Sequence, residues 1–260
     1  MKFLKKSLGQ HFLVDQNIIK KIINSVEVEN RHIVEIGPGD GALTEEILNK
    51  KPKSLIVIEK DSSFASKLKL KFFNKRIEII NDDILKFDLE KKIKKKSIIF
   101  GNLPYNISSQ ILVKLLKFKT WPPNFTDLVL MFQKELSDKI TGKYLSAYYG
   151  RLYILLNYRM KIIKKFLVSK NCFFPAPKVT SQVIHFQPKK RGAIFIKDIK
   201  NLEKITQIFF SNRRKMIKKN IRRVISNERI EKIDGIQLNL RPADLHPEIY
   251  YKITELYEKN

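Results

Sequence analysis

The sequence predicts an α/β fold with a mainly parallel sheet, followed by a small all-helical C-terminal domain. Three observations carry that reading. Short apolar β-rich runs alternate with helical stretches between residues 32 and 132, a glycine-rich turn joins the first run to its helix, and β character stops after Pro188-Lys189-Lys190-Arg191-Gly192. The expected domains are therefore residues 1–191, built on the sheet, and residues 192–260, built of helices.

Length and composition agree. A chain of 260 residues with 43% hydrophobic side chains can bury a full core and exceeds the usual size of one domain. No apolar run approaches the length of a membrane span, and Gly9, Gln10 and His11 interrupt the start before a signal-peptide core develops. A soluble, cytoplasmic protein is expected. The single cysteine, Cys172, cannot form an internal disulfide, which suits a reducing compartment. Against 26 acidic residues stand 52 Lys and Arg, a formal charge of +26. Such an excess draws polyanions, nucleic acid first among them.

The opening is basic at Lys5 and Lys6, bends at Gly9 and turns apolar at Phe12 and Leu13, ahead of a helix carrying Ile18, Ile19, Ile22, Ile23 and Val26. On residue chemistry alone such a segment suits covering a ligand site and suits a structured N-terminal arm equally well. A strand over residues 32–36 then meets Gly37-Pro38-Gly39-Asp40-Gly41, and residues 42–49 read as a helix. Glycines at this spacing let a ligand approach the backbone closely. The next strand, residues 55–59, ends in Glu59, 22 residues after Gly37. At that spacing a carboxylate receives ribose hydroxyls in nucleotide-binding βαβ units. A third strand, 77–80, ends at Asn81-Asp82-Asp83. The fourth, 97–100, runs into Gly101-Asn102-Leu103-Pro104-Tyr105-Asn106-Ile107-Ser108, ahead of a helix over 107–117. Gly37, Glu59, Asp83 and Asn102 thus fall on one edge, the carboxyl ends of a parallel sheet, where ligands bind.

The chemistry of that edge selects the ligand. The turn is G-x-G-x-G, not the G-x-G-x-x-G of a pyrophosphate site, and it holds no basic residue. Carboxylates suit ribose hydroxyls, an exocyclic adenine amine and a cationic sulfonium. S-adenosylmethionine offers all three and no phosphate. Beside it, the amide of Asn102, the carbonyl ahead of Pro104 and the ring of Tyr105 suit a flat base that carries an exocyclic amine.

Residues 126–132 read as a fifth strand, and a helix opens at Gln133. A further helix covers 148–160, and two more β-rich runs, 165–168 and 179–186, flank a joint that Pro175 and Pro177 make stiff and extended. That joint holds Phe173 or Phe174 in a fixed pose. The tail reads as helices near 198–210, 211–225 and 247–258. The second carries Arg213, Arg214, Lys215, Lys218, Lys219, Arg222 and Arg223, a density that suits RNA phosphates. No metal is expected: the histidines are scattered, Cys172 has no cysteine neighbour, and Asp82 and Asp83 point to opposite faces of a strand.

Taken together, these residues resemble the ribosomal RNA adenine N6-dimethyltransferase family, and more closely its small-subunit rRNA branch. Gln10-His11-Phe12-Leu13 resembles the Q-N/H-F-L signature, residues 34–44 the cofactor loop, and residues 101–108 the N-L-P-Y-N-I-S target-base motif. Phe173-Phe174-Pro175-Ala176-Pro177-Lys178-Val179 is similar to F-x-P-x-P-K-V. Phe210-Ser211-Asn212-Arg213-Arg214-Lys215 and Arg241-Pro242-Ala243-Asp244-Leu245 are similar to the F-x-x-R-R-K and R-P-x-x-L elements of that branch. Met216 stands where threonine is common, and Phe174 occupies a variable position.

The resemblance implies a Rossmann-like S-adenosylmethionine-dependent methyltransferase fold. It implies dimethylation of N6 on two adjacent adenosines in the 3′-terminal hairpin of 16S rRNA during ribosome biogenesis. His11 and Leu13 would close the cofactor site, and Gly37, with Gly39 in the same turn, would approach the methionine part. Glu59 would hold the ribose, Asp83 the cofactor's adenine amine, and Asn102 would stand between cofactor and target. The Asn102 side-chain oxygen and the Leu103 carbonyl, directed by Pro104, would accept the N6 hydrogens, while Tyr105 and Phe173 sandwich a base extruded from its stack. Arg213, Arg214, Lys215, Lys218 and Arg222 would contact RNA. The implied protein is a monomer that meets small-subunit rRNA in the pre-30S ribosomal particle, with no membrane and no metal. Three alternatives are a large-subunit rRNA methyltransferase of the antibiotic-resistance type, against which the C-terminal arginine elements argue; a DNA adenine N6-methyltransferase, whose target motif usually has an acidic or different first residue and two prolines where this chain has Asn102-Leu103-Pro104-Tyr105; and a non-catalytic small-subunit assembly factor, against which the glycine loop and Asn102 weigh.

Overall fold

The computed structural model describes residues 11–259, so the basic opening with Lys5, Lys6, Gly9 and Gln10 lies outside the described residues. The strands are β1 (Phe12–Leu13), β2 (His32–Ile36), β3 (Ser54–Glu59), β4 (Ile77–Asn81), β5 (Ser97–Asn102), β6 (Phe125–Gln133), β7 (Met160–Val168), β8 (Phe173–Phe174) and β9 (Ser181–Pro188). The helices of the first half are α1 (Gln16–Ile23), α2 (Ala42–Asn49), α3 (Ser62–Lys71), α4 (Leu89–Lys92), α5 (Ser108–Leu116) and α6 (Lys134–Thr141). Those that follow are α7 (Arg151–Arg159), α8 (Ile199–Phe210), α9 (Lys218–Ile221), α10 (Asn227–Ile230) and α11 (Pro247–Glu258).

Seven strands form one sheet in the order β4-β3-β2-β5-β6-β9-β7, and β1 pairs separately with β8. From β4 to β6 the neighbours are parallel, and β9 runs antiparallel to β6. Such strands must be apolar on both faces, because crossover helices cover them. Accordingly Val34, Ile36, Ile56, Val57, Ile98 and Phe100 are buried. Chain order reverses at β2, whose neighbours are β3 and β5, and the carboxyl ends at that reversal open a crevice. Aspartates start the flanking helices: Asp15 accepts from the backbone N–H of Asn17 and Ile18, and Asp61 from that of Ser63.

The chain divides into two compact units, Met1–Lys114 with Pro123–Ser137 and Ile162–Pro188, and Leu115–Pro122 with Asp138–Lys161 and Lys189–Asn260. A single cut after residue 191 does not describe this division, because two earlier segments pack with the helical tail. Within the second unit, Tyr149 Oη donates to Leu245 O at 2.8 Å and Tyr251 Oη to Ile154 O at 3.1 Å. Arg159 Nη1 donates to the carbonyls of Leu116 and Phe118 at 2.5 and 2.7 Å, with its guanidinium 4.4 Å from the Trp121 ring centre. Partners this far apart in sequence leave no local pattern.

Two elements differ from expectation. The helix expected over 211–225 is a turn through 211–215 followed by the single turn α9. There the N–H groups of Ile217 and Lys218 donate to Leu240 O and Leu238 O, so the backbone is tied to a distant segment. Cations four apart, such as Arg214 with Lys218, also disfavour a continuous helix. Helix α7 ends at Arg159 and β7 starts at Met160, earlier than expected, since Ile162 and Ile163 favour the strand. Among the described residues no helix is long and apolar enough to cross a membrane.

Candidate active site

The crevice at the carboxyl ends of β2 to β5 is lined by His11, Leu13, Gly37, Gly39, Glu59, Asp83 and Asn102, and by Leu103, Pro104 and Tyr105. All cofactor-site residues singled out in the sequence thus come together. Gly37 and Gly39 hold φ of +69° and +58°, the left-handed region that side chains rarely adopt. At Gly39 a Cβ would also lie 3.0 Å from the Phe12 ring, so glycine is what permits the arm to close over the turn.

Each carboxylate has a distinct environment. Glu59 Oε2 accepts from Gly39 N at 3.2 Å and Oε1 from Asp61 N at 2.8 Å, which pins the group at the strand end with lone pairs remaining. Burial pushes its pKa up, and these backbone hydrogen bonds oppose the rise. Asp83 goes the other way. Its Oδ2 lies 2.8 Å from Lys60 Nζ and its Oδ1 accepts from Leu85 N at 2.9 Å, and together these hold the carboxyl below the usual range. Glu35, inside the apolar end of β2, is fully buried; burial lifts its pKa to about 8, although the Thr44 hydroxyl donates to Oε2 at 2.6 Å, and Asp40 and Glu59 add to the rise. Burial thus favours the protonated form of Glu35 behind the glycine turn.

The target-side residues follow β5. Asn102 Nδ2 donates to His11 O at 3.2 Å. Tyr105 Oη lies 2.6 Å from Ser181 Oγ, and the Tyr105 and His11 rings are 5.5 Å apart at 31°. His11 Nδ1 is 2.8 Å from Pro175 O, and because a carbonyl only accepts, that nitrogen carries the proton. Of the expected arm, His11, Phe12 and Leu13 are described and line the crevice: Phe12 pairs with Phe174 and Leu13 with Phe173, while Val14 N donates to Cys172 O at 2.9 Å.

Phe173 is the residue the structure does not bring to the cleft. It is 4% exposed and packs with Leu13, Cys172 and Val183 in the core, because β8 turns its ring inward when it pairs with β1. Its neighbour Phe174 is 60% exposed. In the second unit, Arg214, Lys215, Lys218 and Arg222 are exposed. Arg213 is exposed too, but its Nη2 donates to Ala147 O and Tyr149 O at 3.4 and 3.2 Å.

Sequence reasoning missed Glu35, Lys60 and Ser181. A carboxylate inside a buried strand was a signal for Glu35, and adjacency to Glu59 was one for Lys60. For Ser181, 76 residues from Tyr105, there was none. Among the described residues no group of three or more His, Cys, Asp or Glu is placed to hold a metal.

Residues 1–259 match the model of a family described as ribosomal RNA adenine dimethylase. A ribosomal RNA small subunit methyltransferase A from Pelagibacter ubique is 48% identical over 98% of this chain and 97% of its own length. One from Malacoplasma penetrans is 40% identical over 96% and 91%. In three dimensions, a dimethyladenosine transferase from Plasmodium falciparum superposes with a TM-score of 0.78 at 24% identity, covering 96% of this chain and 98% of its own. The 23S rRNA methyltransferase ErmE superposes with a TM-score of 0.70 at 23% identity, over 95% and 99%. The two superpositions show that the fold is shared. With a family match spanning the described chain and relatives this similar along nearly their whole length, the chain belongs to the ribosomal RNA adenine dimethylase family.

Proposed function

We propose that this chain uses S-adenosylmethionine to dimethylate N6 of two adjacent adenosines in the 3′-terminal hairpin of small-subunit rRNA. One observation carries the reading: Asn102, at the end of β5, shares a crevice with the glycine turn and with Glu59 and Asp83. The residues fit that cofactor. Glu59 keeps lone pairs for ribose hydroxyls, Asp83 presents a carboxylate to an exocyclic amine, and the turn offers bare backbone and no cation for phosphate. When bound, the cofactor supplies an electrophilic methyl group on a sulfonium.

The rest falls to the chain. Because Asn102 Nδ2 is engaged by His11 O, Oδ1 is the end of the amide available to accept an N6 hydrogen. The Leu103 carbonyl, directed by Pro104, accepts the other. An adenine amine delocalised into its ring is a poor nucleophile, and two acceptors so placed favour a more tetrahedral nitrogen aimed at the methyl. No base of shifted pKa is needed, since the proton leaves after the nitrogen becomes cationic. Tyr105 offers its ring to the extruded base, a contact worth about 1–3 kcal/mol. With Phe173 in the core, its place as the second wall requires β8 to shift when RNA binds. Arg214, Lys215, Lys218 and Arg222 attract RNA phosphates, with a smaller share for Arg213.

The test is to give the protein labelled S-adenosylmethionine with unmethylated small subunits, large subunits, free rRNA and DNA, then map the product. Label on adenosine N6 of small subunits is expected. Label confined to large subunits or to DNA overturns the reading.

A further inference from the structure

The residue that stands out beyond those roles is Ser181. It opens β9, is 0% exposed, and lies opposite Gln133 of β6 in the sheet register. The next residue, Gln182, accepts a hydrogen bond from Ser137 Oγ, so this end of β9 is anchored on both sides. From that fixed position Ser181 Oγ reaches Tyr105 Oη at 2.6 Å. Tyr105 itself sits on a turn, held locally by Ile107 N donating to Pro104 O and Ser108 Oγ donating to Tyr105 O. These local bonds fix the backbone and leave the ring free to swing about its Cα–Cβ bond.

We propose that Ser181 is a positioning residue for methyl transfer: its hydroxyl locks the axis of the Tyr105 ring so that the ring presents a face, beside Asn102, to the incoming base. The phenolic oxygen lies on the ring's own axis, so this bond sets where the axis points but not the rotation about it. That rotation is limited by the His11 ring, 5.5 Å away, which Pro175 O holds through Nδ1–H. One clamp comes from the sheet and the other from the arm. The inference rests on the functional reading above, because a locked ring matters only if a base stacks on it.

A bond that only stabilised the fold would change the melting temperature and leave turnover alone. A positioning bond acts on the rate. Without it the ring samples poses in which no face meets the base, so kcat falls while cofactor binding is unaffected. The experiment measures kcat, KM for unmethylated small subunits, cofactor Kd and melting temperature for the wild type, Ser181→Ala, Tyr105→Phe and the double variant. Each single variant is expected to lose about tenfold in kcat with cofactor Kd within about twofold, and the double variant no more than either single one. Tyr105→Phe keeps the ring and removes only the hydroxyl, so it decides the matter even if Ser181→Ala fails to fold. An active wild type with an equally active Tyr105→Phe, or losses that multiply in the double variant, overturns this inference alone. A wild type inert on small subunits overturns the functional reading and this inference with it.

Discussion

Asn102 Nδ2 donates to the backbone carbonyl of His11 at 3.2 Å, a bond that joins the end of β5 to the N-terminal arm across 91 residues of sequence. It orients the amide. Asn102→Ala removes the acceptor that Oδ1 supplies and should lower methyl transfer by about 100-fold or more, while cofactor Kd changes only a few-fold. Asn102→Asp has no donor for His11 O and should lose a comparable share. Single-turnover transfer to small subunits, together with calorimetric titration of the cofactor, checks both. Near-normal transfer by folded Asn102→Ala would refute the mechanism.

Lys60 occupies the carboxylate that the cofactor's adenine amine is proposed to use, at 2.8 Å from Asp83 Oδ2. Lys60 is over half exposed, so the pair is worth little, about 0–1 kcal/mol, and displacing it costs no more than that. Lys60→Met should therefore leave cofactor affinity unchanged or tighten it by up to about fivefold. Asp83→Ala loses a charge-assisted acceptor and should weaken binding by about tenfold or more. Titrations of the two variants at low and high salt distinguish the cases. A large loss of affinity in Lys60→Met would mean that the ammonium contributes to the ligand site.

How much of this was legible in the sequence depends on the range of the interaction. The strands and turns that place Gly37, Glu59, Asp83 and Asn102 on one edge follow from local periodicity and strand-end chemistry, and all four line the crevice. Phe173 shows the limit: two adjacent phenylalanines on a stiff joint point to opposite sides of the chain. Which one faces inward is set by the pairing of β8 with β1, 160 residues upstream. The basic stretch 211–225 shows another. Its composition favours a helix, and the backbone bonds from Ile217 and Lys218 to the 238–240 segment override it. The segments that join the helical tail do so through side chains such as Arg159 and Tyr149, whose partners no local pattern announces.

Glu35 makes stability depend on pH with a definite sign. Burial raises its pKa from the ordinary 4.5 to about 8, so between those values the folded state holds a proton that the unfolded state has lost. Stability from this group is fully present below pH 4.5, falls by about 1.4 kcal/mol per pH unit through the window, and levels off above pH 8. Glu35→Gln keeps a neutral acceptor for the Thr44 hydroxyl and removes the titration. The stability of Glu35→Gln minus that of the wild type should then grow from pH 5 to pH 8. Urea melts at each pH measure it, and a difference that stays flat would show that Glu35 is ionised in the fold.

Arg213 and Arg214 are neighbours with the same charge and different attachments. The Arg213 guanidinium donates to the carbonyls of Ala147 and Tyr149, while Arg214 is exposed and has no such bond among those described. Truncating Arg213 should therefore cost stability, about 1 kcal/mol for bonds to a charged donor on an exposed side chain, as well as RNA affinity. Truncating Arg214 should leave the melting temperature unchanged. If Arg214 contacts phosphate, its removal should weaken RNA binding uniformly and lower the slope of log affinity against log salt by about one. Melting curves and salt-dependent RNA titrations of Arg213→Ala and Arg214→Ala separate the two effects. An unchanged salt slope in Arg214→Ala would remove that residue from the RNA surface, whereas an unchanged melting temperature in Arg213→Ala would free its guanidinium for phosphate.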